Sequence, residues 1–313
     1  MRKAALFYNP LSGRRRGSRL KVVESVSAVL RRAGVELKVA ETQGPAETGY
    51  QVRSAIAEGC DVVLACGGDG TVHDILQGMI GSPASLGVIP LGTANALAHD
   101  LRMPLRPVAA AQVLLHAQPK RVAVGKIDYT EFSGGLASRY FVVTVGIGVD
   151  AHLFYALNPV FKSRLGMASY YTKATRLWMT HPLEWFEVQA GAGERAREKI
   201  KVSQVLAVRI RNFGGVLREL APGAGLERDD LRLVLFRTRS RVTYLRYILR
   251  GLLGRKNPIK GIELVYSQGL QCRHLDDSAG KQSSIYVEAD GELLGTLPAG
   301  IEVVPNALSL LMP

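Results

Sequence analysis

The sequence predicts an α/β protein in two parts. A doubly wound, mostly parallel sheet spans residues 1–123 and is completed by 300–313; a β-rich sandwich spans 124–299, with a cleft between the two. Two observations carry the first part. Short apolar runs alternate with stretches whose apolar residues recur every three or four positions, the pattern of strands joined by crossover helices. The run Asp61-Val62-Val63-Leu64-Ala65 also leads straight into a glycine-rich turn, Cys66-Gly67-Gly68-Asp69-Gly70-Thr71, from which a helical pattern departs. A third observation carries the second part: beyond about residue 121 alternating, β-rich runs replace the helical spacing.

In order along the chain, Ala4 to Tyr8 reads as a buried strand, and 9–17 as a polar loop holding Arg14-Arg15-Arg16. From 18 to 32, Leu20, Val23, Val26, Val29 and Leu30 share one helical face, and Gly34 stands where a helix ends. A strand over 35–40 precedes a helix over 46–58, which turns Val52, Ala55 and Ile56 inward and ends at Gly59. The strand over 61–65 and the central turn feed a helix carrying Val72, Ile75, Leu76, Met79 and Ile80. A strand over 86–89 enters Gly92-Thr93-Ala94-Asn95 and a helix through Leu101; another helix covers 108–115. In the second part, strands are expected at 141–145, 184–189, 202–210, 231–236, 262–266 and 284–287. A hairpin turn is expected at 190–193, helices at 165–180 and 242–253, and terminal strands at 301–304 and 307–312.

Composition narrows the function. Hydrophobic residues make up 47% of 313, and 40 Lys+Arg against 27 Asp+Glu give a net charge of +13. That balance favours an anionic partner: a nucleotide, an acidic membrane surface or nucleic acid. Zinc spacing and aromatic-rich basic motifs are both missing from the sequence, so nucleic acid is not the expected partner. Cys60, Cys66 and Cys272 are too few and too irregular for a disulfide framework or a metal site, which fits a reducing cytoplasm. The apolar run after Met1-Arg2-Lys3 is too short for a signal peptide. No stretch reaches the ~18 apolar residues of a membrane span. The expectation is a cytoplasmic protein, or one held peripherally on the inner membrane face.

The central turn carries the chemistry. Glycines let backbone approach a ligand closely, and the following helix N-terminus offers amide N–H groups to an anion. Asp69 would repel a bare phosphate, so it points to a divalent cation or a reacting hydroxyl; an ordinary tight turn is the plain alternative. Three further stretches bear on the choice: Asn9-Pro10-Leu11-Ser12-Gly13, Pro90-Leu91-Gly92-Thr93-Ala94-Asn95 and Asp290-Gly291-Glu292. With the central turn, and in this order, they resemble the diacylglycerol kinase catalytic-domain family. That family includes bacterial lipid kinases, sphingosine kinases and ceramide kinases, and NAD kinases share its central turn. The resemblance runs from Asn9 to about Leu310.

The resemblance implies an ATP-dependent lipid kinase that uses Mg2+ and phosphorylates a hydroxyl of diacylglycerol, a sphingoid base or a related lipid. Asn9, Ser12, Gly13, Gly67, Gly68, Gly70, Thr71, Gly92, Thr93 and Asn95 would hold the nucleotide, though Asn95 also suits a helix cap. Asp290, Glu292 and Asp69 would be catalytic, with Asp290 as the first candidate for general base, Asp69 as the competing one, and Asp69 and Glu292 as metal ligands. Asp290-Gly291 equally suits a hairpin turn. Asp150, in Gly146-Ile147-Gly148-Val149-Asp150-Ala151, would meet the lipid headgroup.

Departures accompany the matches. His73-Asp74 stands where the family has Asn-Glu, and Ala123 stands where bacterial members often have Asp, with Asp128 off register. Asp229-Asp230 resembles a structural magnesium position or an exposed acidic turn. His152, His181 and His274 read as structural or exposed. The basic stretch from Arg237 to Lys260 suits either anionic lipid headgroups or a solvated face over core-packed apolar residues. The lipid partner is expected at a membrane surface, and a homodimer is left open. The alternatives are an NAD kinase-like enzyme with a soluble substrate, and a catalytically weak nucleotide- or lipid-binding protein.

Overall fold

Apolar runs bounded by glycine form a parallel sheet in the first part of the chain. The computed structural model describes residues 1–10, 16–149, 182–191, 199–214, 219–254, 257–275 and 284–313. Ser12, Gly13, Asp150, His152, His181 and the helix expected at 165–180 lie outside them, as does the end of the hairpin turn expected at 190–193. Two compact units divide the chain: Met1–Val124 with Ile210–Arg218 and Val304–Pro313, and Gly125–Arg209 with Glu219–Val303.

The strands of the first unit are β1 (Lys3–Tyr8), β2 (Glu36–Glu41), β3 (Val62–Gly67) and β4 (Ser85–Pro90). They pair in parallel in the order β2-β1-β3-β4, and Ser309-Leu310 of the last strand adds beside β4. Every residue of β3 and β4 is buried, as a sheet covered on both faces requires. The crossovers are α1 (Arg16–Arg32), α2 (Pro45–Ala57) and α3 (Asp69–Met79), followed by α4 (Ala96–Asp100) and α5 (Pro107–Leu114). Helix α1 packs on α5, and α2 on α3. The strand order reverses between β1 and β3, so the carboxyl ends of those strands frame the crevice where such sheets bind ligands.

The second unit is antiparallel. It holds the end of β5 (Gln118–Thr130), β6 (Leu136–Phe141), β7 (Thr144–Gly148), β8 (Phe186–Ala190), β9 (Lys199–Val202), β10 (Gln204–Val208) and β11 (Leu231–Phe236). Next come α6 (Arg241–Leu252), β12 (Ile262–Ser267), β13 (Gly269–His274), β14 (Tyr286–Ala289) and the start of β15 (Glu292–Met312). One strand path runs β12-β11-β10-β7-β14-β15; a second runs β9-β8-β13-β15. Val145, Ile147, Val205, Leu233 and Val287 of the first share one apolar core with Phe186, Val188, Leu270 and Cys272 of the second, the signature of a sandwich.

Several boundaries differ from expectation. The run 141–145 is two strand ends around a link, and 202–210 breaks at Ser203, whose buried hydroxyl meets the Thr238 carbonyl and, at 2.8 Å, the Tyr244 hydroxyl. The two terminal strands are one, β15, and β5 is a long strand where only a boundary was expected. Residues 210–214 return to the first unit: the Asp100 carboxylate accepts from the Arg211 and Asn212 amides at 2.9 and 2.8 Å.

Candidate functional site

Register brings three of the recognised loops to one edge of the first unit. Tyr8 lies level with Cys66, Cys66 with Ile89 and Gly67 with Pro90, so Asn9, Gly68 and Leu91 leave adjacent strands side by side. The Leu91 amide donates to the Gly67 carbonyl at 2.8 Å, tying the second loop to the third. Helix α3 starts at Asp69, with Gly68 as an extended N-cap that offers no side chain to the first-turn amides. Those amides and the positive end of the helix dipole stand where the sequence leads one to expect an anion.

Glycine is needed here first for packing. A Cβ on Gly92 would lie 2.4 Å from the Gly68 Cα, and one on Gly67 would lie 2.3 Å from the Thr71 hydroxyl oxygen. The two loops therefore touch backbone to backbone, and the same bareness lets a phosphate approach their amides. Thr71 is buried with its hydroxyl against Gly67, beneath the turn, whereas Thr93 is exposed on the loop rim. Asn95 is the N-cap of α4 but makes no side-chain cap bond. In the left-handed region (φ 52°, ψ 47°), its side chain accepts from the Gly92 amide at 2.9 Å and donates to the Gly92 carbonyl at 3.0 Å. It staples the loop shut.

Sequence reasoning missed Arg19. It is 6% exposed, while Leu20, expected inside, is 50% exposed. The Arg19 guanidinium donates to the Asn9 and Pro10 carbonyls, both at 3.2 Å, and so pins the first loop. Burial lowers its pKa, which leaves an arginine still cationic. A signal was present: Arg19 lies four residues before Val23 and seven before Val26, on the same helical face. Burial pushes the neighbouring Cys66 thiol up to about 12, so it carries no charge at this edge near neutrality.

In the second unit Asp290-Gly291 forms a two-residue hairpin turn between β14 and β15, with φ of 50° and 86°, the type I′ geometry that Asp-Gly favours. The Asp290 carboxylate, 6% exposed, accepts from the amides of Val142, Val143 and Thr144 at 3.0, 2.9 and 3.0 Å. It thus holds the β6–β7 link, a duty outside the sequence reading. Glu288, also missed, is buried and accepts from the Gly291 amide at 2.9 Å; Glu292 is exposed.

Other acidic groups are engaged in structure. The Asp230 carboxylate is held in a bidentate pair by Arg228 at 2.6 and 2.8 Å, and the fully buried Arg209 donates to the Asp230 carbonyl at 2.7 Å. Guanidinium groups organise that turn. Asp128 accepts from Ser138 and lies 3.3 Å from Lys126. Ala123 is buried. No three His, Cys, Asp or Glu side chains gather as an ion site among the described residues. Asp69, at the first position of α3 on this edge, is a lone carboxylate of the kind that would suit a magnesium ion arriving with a nucleotide and keeping its phosphate and water ligands.

Comparison with known proteins matches two family models in succession: the diacylglycerol kinase catalytic domain over residues 3–127, and the YegS C-terminal NAD kinase beta sandwich-like domain over 143–312. A diacylglycerol kinase of Bacillus subtilis (strain 168) is 23% identical, the match covering 100% of this chain and 97% of its own length. One of Mycobacterium tuberculosis (strain ATCC 25618 / H37Rv) is 27% identical, covering 99% and 95%. A crystal structure of a diacylglycerol kinase from Bacillus anthracis superposes with a TM-score of 0.69 at 19% identity, covering 99% and 97% of the two chains, a likeness of fold.

Proposed function

The chain belongs to the diacylglycerol kinase catalytic-domain family, kinases that transfer a phosphoryl group to an alcohol, and we propose that it is an ATP- and magnesium-dependent lipid kinase acting on diacylglycerol, a sphingoid base or a related lipid. The observation that carries the nucleotide half is the three-loop edge. There, side-chain-free backbone at Gly68 and Gly92 and the N-terminus of α3 meet beside the buried Arg19 charge. Phosphoryl transfer asks the protein to hold phosphates, offset their charge and align an acceptor. The loop amides and α3 hold the phosphates; Arg19 fixes the first loop and adds positive potential. Magnesium, bound with the nucleotide, would neutralise charge developing on the transferred group.

Asp69 takes the acceptor proton in this reading. It stands on the phosphate edge, at the first position of α3. Asp290, with three amides on its carboxylate, positions the β6–β7 link, and Glu292 is the exposed acid of that turn. Ser12, Gly13 and Asp150 keep the nucleotide and headgroup roles that the family resemblance implies. Diacylglycerol is the first acceptor to try, because the relatives bear its name.

The test is transfer of label from γ-labelled ATP, with magnesium, to a panel of diacylglycerol, sphingosine, ceramide and NAD. Label on a lipid is expected, and Asp69→Asn should lower kcat at least about 100-fold. Label on NAD alone would favour the soluble-substrate alternative. Nucleotide binding without turnover on any acceptor would favour the binding-protein alternative.

A further inference from the structure

Helix α6 faces the wrong way for its composition. Its buried residues are Tyr244, Tyr247, Arg250 and Gly251. Tyr244 stacks on Phe236 at 4.5 Å between ring centroids, and Tyr247 meets the same ring edge-on at 5.0 Å. The aliphatic residues point outward instead: Val242 is 58% exposed, Leu245 46%, Ile248 40%, Leu249 44%, Leu252 38% and Leu253 63%. At about 100° per residue these six fall within one arc of roughly 140°, opposite the tyrosines. Core packing does not account for such a stripe, because the core takes the other face. Isolated exposed aliphatic residues are ordinary; six along one helix and its C-cap mark a surface that is covered in use.

Charge identifies the cover. From Arg239 to Lys256 the sequence holds six basic residues and no acidic one. Arg239 and Arg246 are exposed, Arg241 is partly exposed, and Arg250 is buried with a guanidinium bond to the Asn257 carbonyl at 3.4 Å. Just before this segment, Arg237 pairs with Glu263 of β12 at 3.3 Å. A second copy of this chain would bring the same arginines against themselves, an arrangement like charge opposes. An anionic bilayer offers acyl chains to the leucines and headgroup phosphates to the arginines together.

We propose that the outward face of α6 is a membrane-docking surface that lies in the interface of an anionic bilayer, with Val242, Leu245, Ile248, Leu249 and Leu252 entering the acyl boundary and Arg239 and Arg246 meeting lipid phosphates. The proposal rests on the lipid-kinase reading only for its purpose, which is to bring the enzyme to a substrate that resides in membranes. The surface itself follows from exposure and charge.

The test is co-sedimentation of the whole protein with vesicles of equal parts phosphatidylglycerol and phosphatidylcholine, and with phosphatidylcholine alone. Binding to the anionic vesicles is expected, with each of Arg239→Gln and Arg246→Gln weakening it about fivefold and Leu245→Gln/Leu249→Gln weakening it at least about tenfold. All these positions are exposed or partly exposed, so melting temperatures should match the parent, and activity on diacylglycerol dispersed in neutral detergent should be unchanged. No binding to anionic vesicles, or equal binding by parent and leucine variant, would overturn the proposal. So would a dimer in light scattering that the leucine variant dissolves while neither protein binds vesicles. Vesicle binding without turnover on any dispersed lipid would sink the kinase reading and leave this surface standing.

Discussion

Asp290 shows how one residue type can satisfy two demands. An aspartate tolerates the left-handed conformation of a type I′ turn better than most L residues, and its carboxylate then reaches three converging amides. Removing one acceptor oxygen leaves a buried N–H opposed by another donor. Asp290→Asn should therefore lower unfolding stability by about 2–3 kcal/mol, read as a reduced urea midpoint. A variant as stable as the parent but without activity would instead place the carboxylate on substrate. Arg19 makes the complementary point. Its helical spacing to Val23 and Val26 was visible, but an arginine in an apolar face reads as a breach until its acceptors, two carbonyls of a distant loop, are known.

Among the elements, the loops at the sheet edge depend on one another. Gly92 and Gly68 touch through their backbones, so a methyl group on Gly92 would overlap the Gly68 Cα and force the loops apart. Gly92→Ala should weaken nucleotide binding at least about tenfold by calorimetry and cost about 1–3 kcal/mol of stability. Gly34→Ala is the matched control: φ is 82° but nothing lies within 4 Å of the new carbon. It should cost about 1 kcal/mol in strain and leave nucleotide affinity alone. Element type was legible wherever apolar periodicity was long, as for α1 and α2. The link between β6 and β7 was not legible: Val142 and Val143 read as strand, and only the converging Asp290 carboxylate reveals that their amides leave the ladder.

For the whole molecule, stability carries a pH dependence set by buried acids that ionise late. The Cys66 thiol stays protonated up to about 12 in the folded chain, against 9.0 ordinarily, because burial disfavours the thiolate. Tyr8 is held to about 12 against 10.0, chiefly by its hydrogen bond to Glu41 and then by burial. Both pKa values are raised, so their stabilisation is complete below pH 9 and is lost as pH rises toward 12. Denaturant titrations at successive pH values should show that loss, and Cys66→Ala should flatten the slope between pH 9 and 12 by about 1.4 kcal/mol per pH unit. Equal slopes for parent and variant would exclude the thiol as a source. The three cysteines are buried thiols, so a thiol reagent at neutral pH should label them only after unfolding.

By itself the sequence determined the alternation that makes a parallel sheet, the β-rich second part, the glycine-bearing turns and the family they resemble, because periodicity and turn chemistry are local properties of the chain. Only the tertiary structure decided which side chains those turns present. Thr71 is buried under its own loop, Asn95 staples Gly92, Asp290 anchors a link and Arg209 sits inside a turn that reads as a metal site. It also turned the tyrosines of α6 inward and its leucines outward, against what composition suggests. The physical reason is common to all of them: a polar group's role is set by the partner that satisfies it, and that partner is usually far away in sequence.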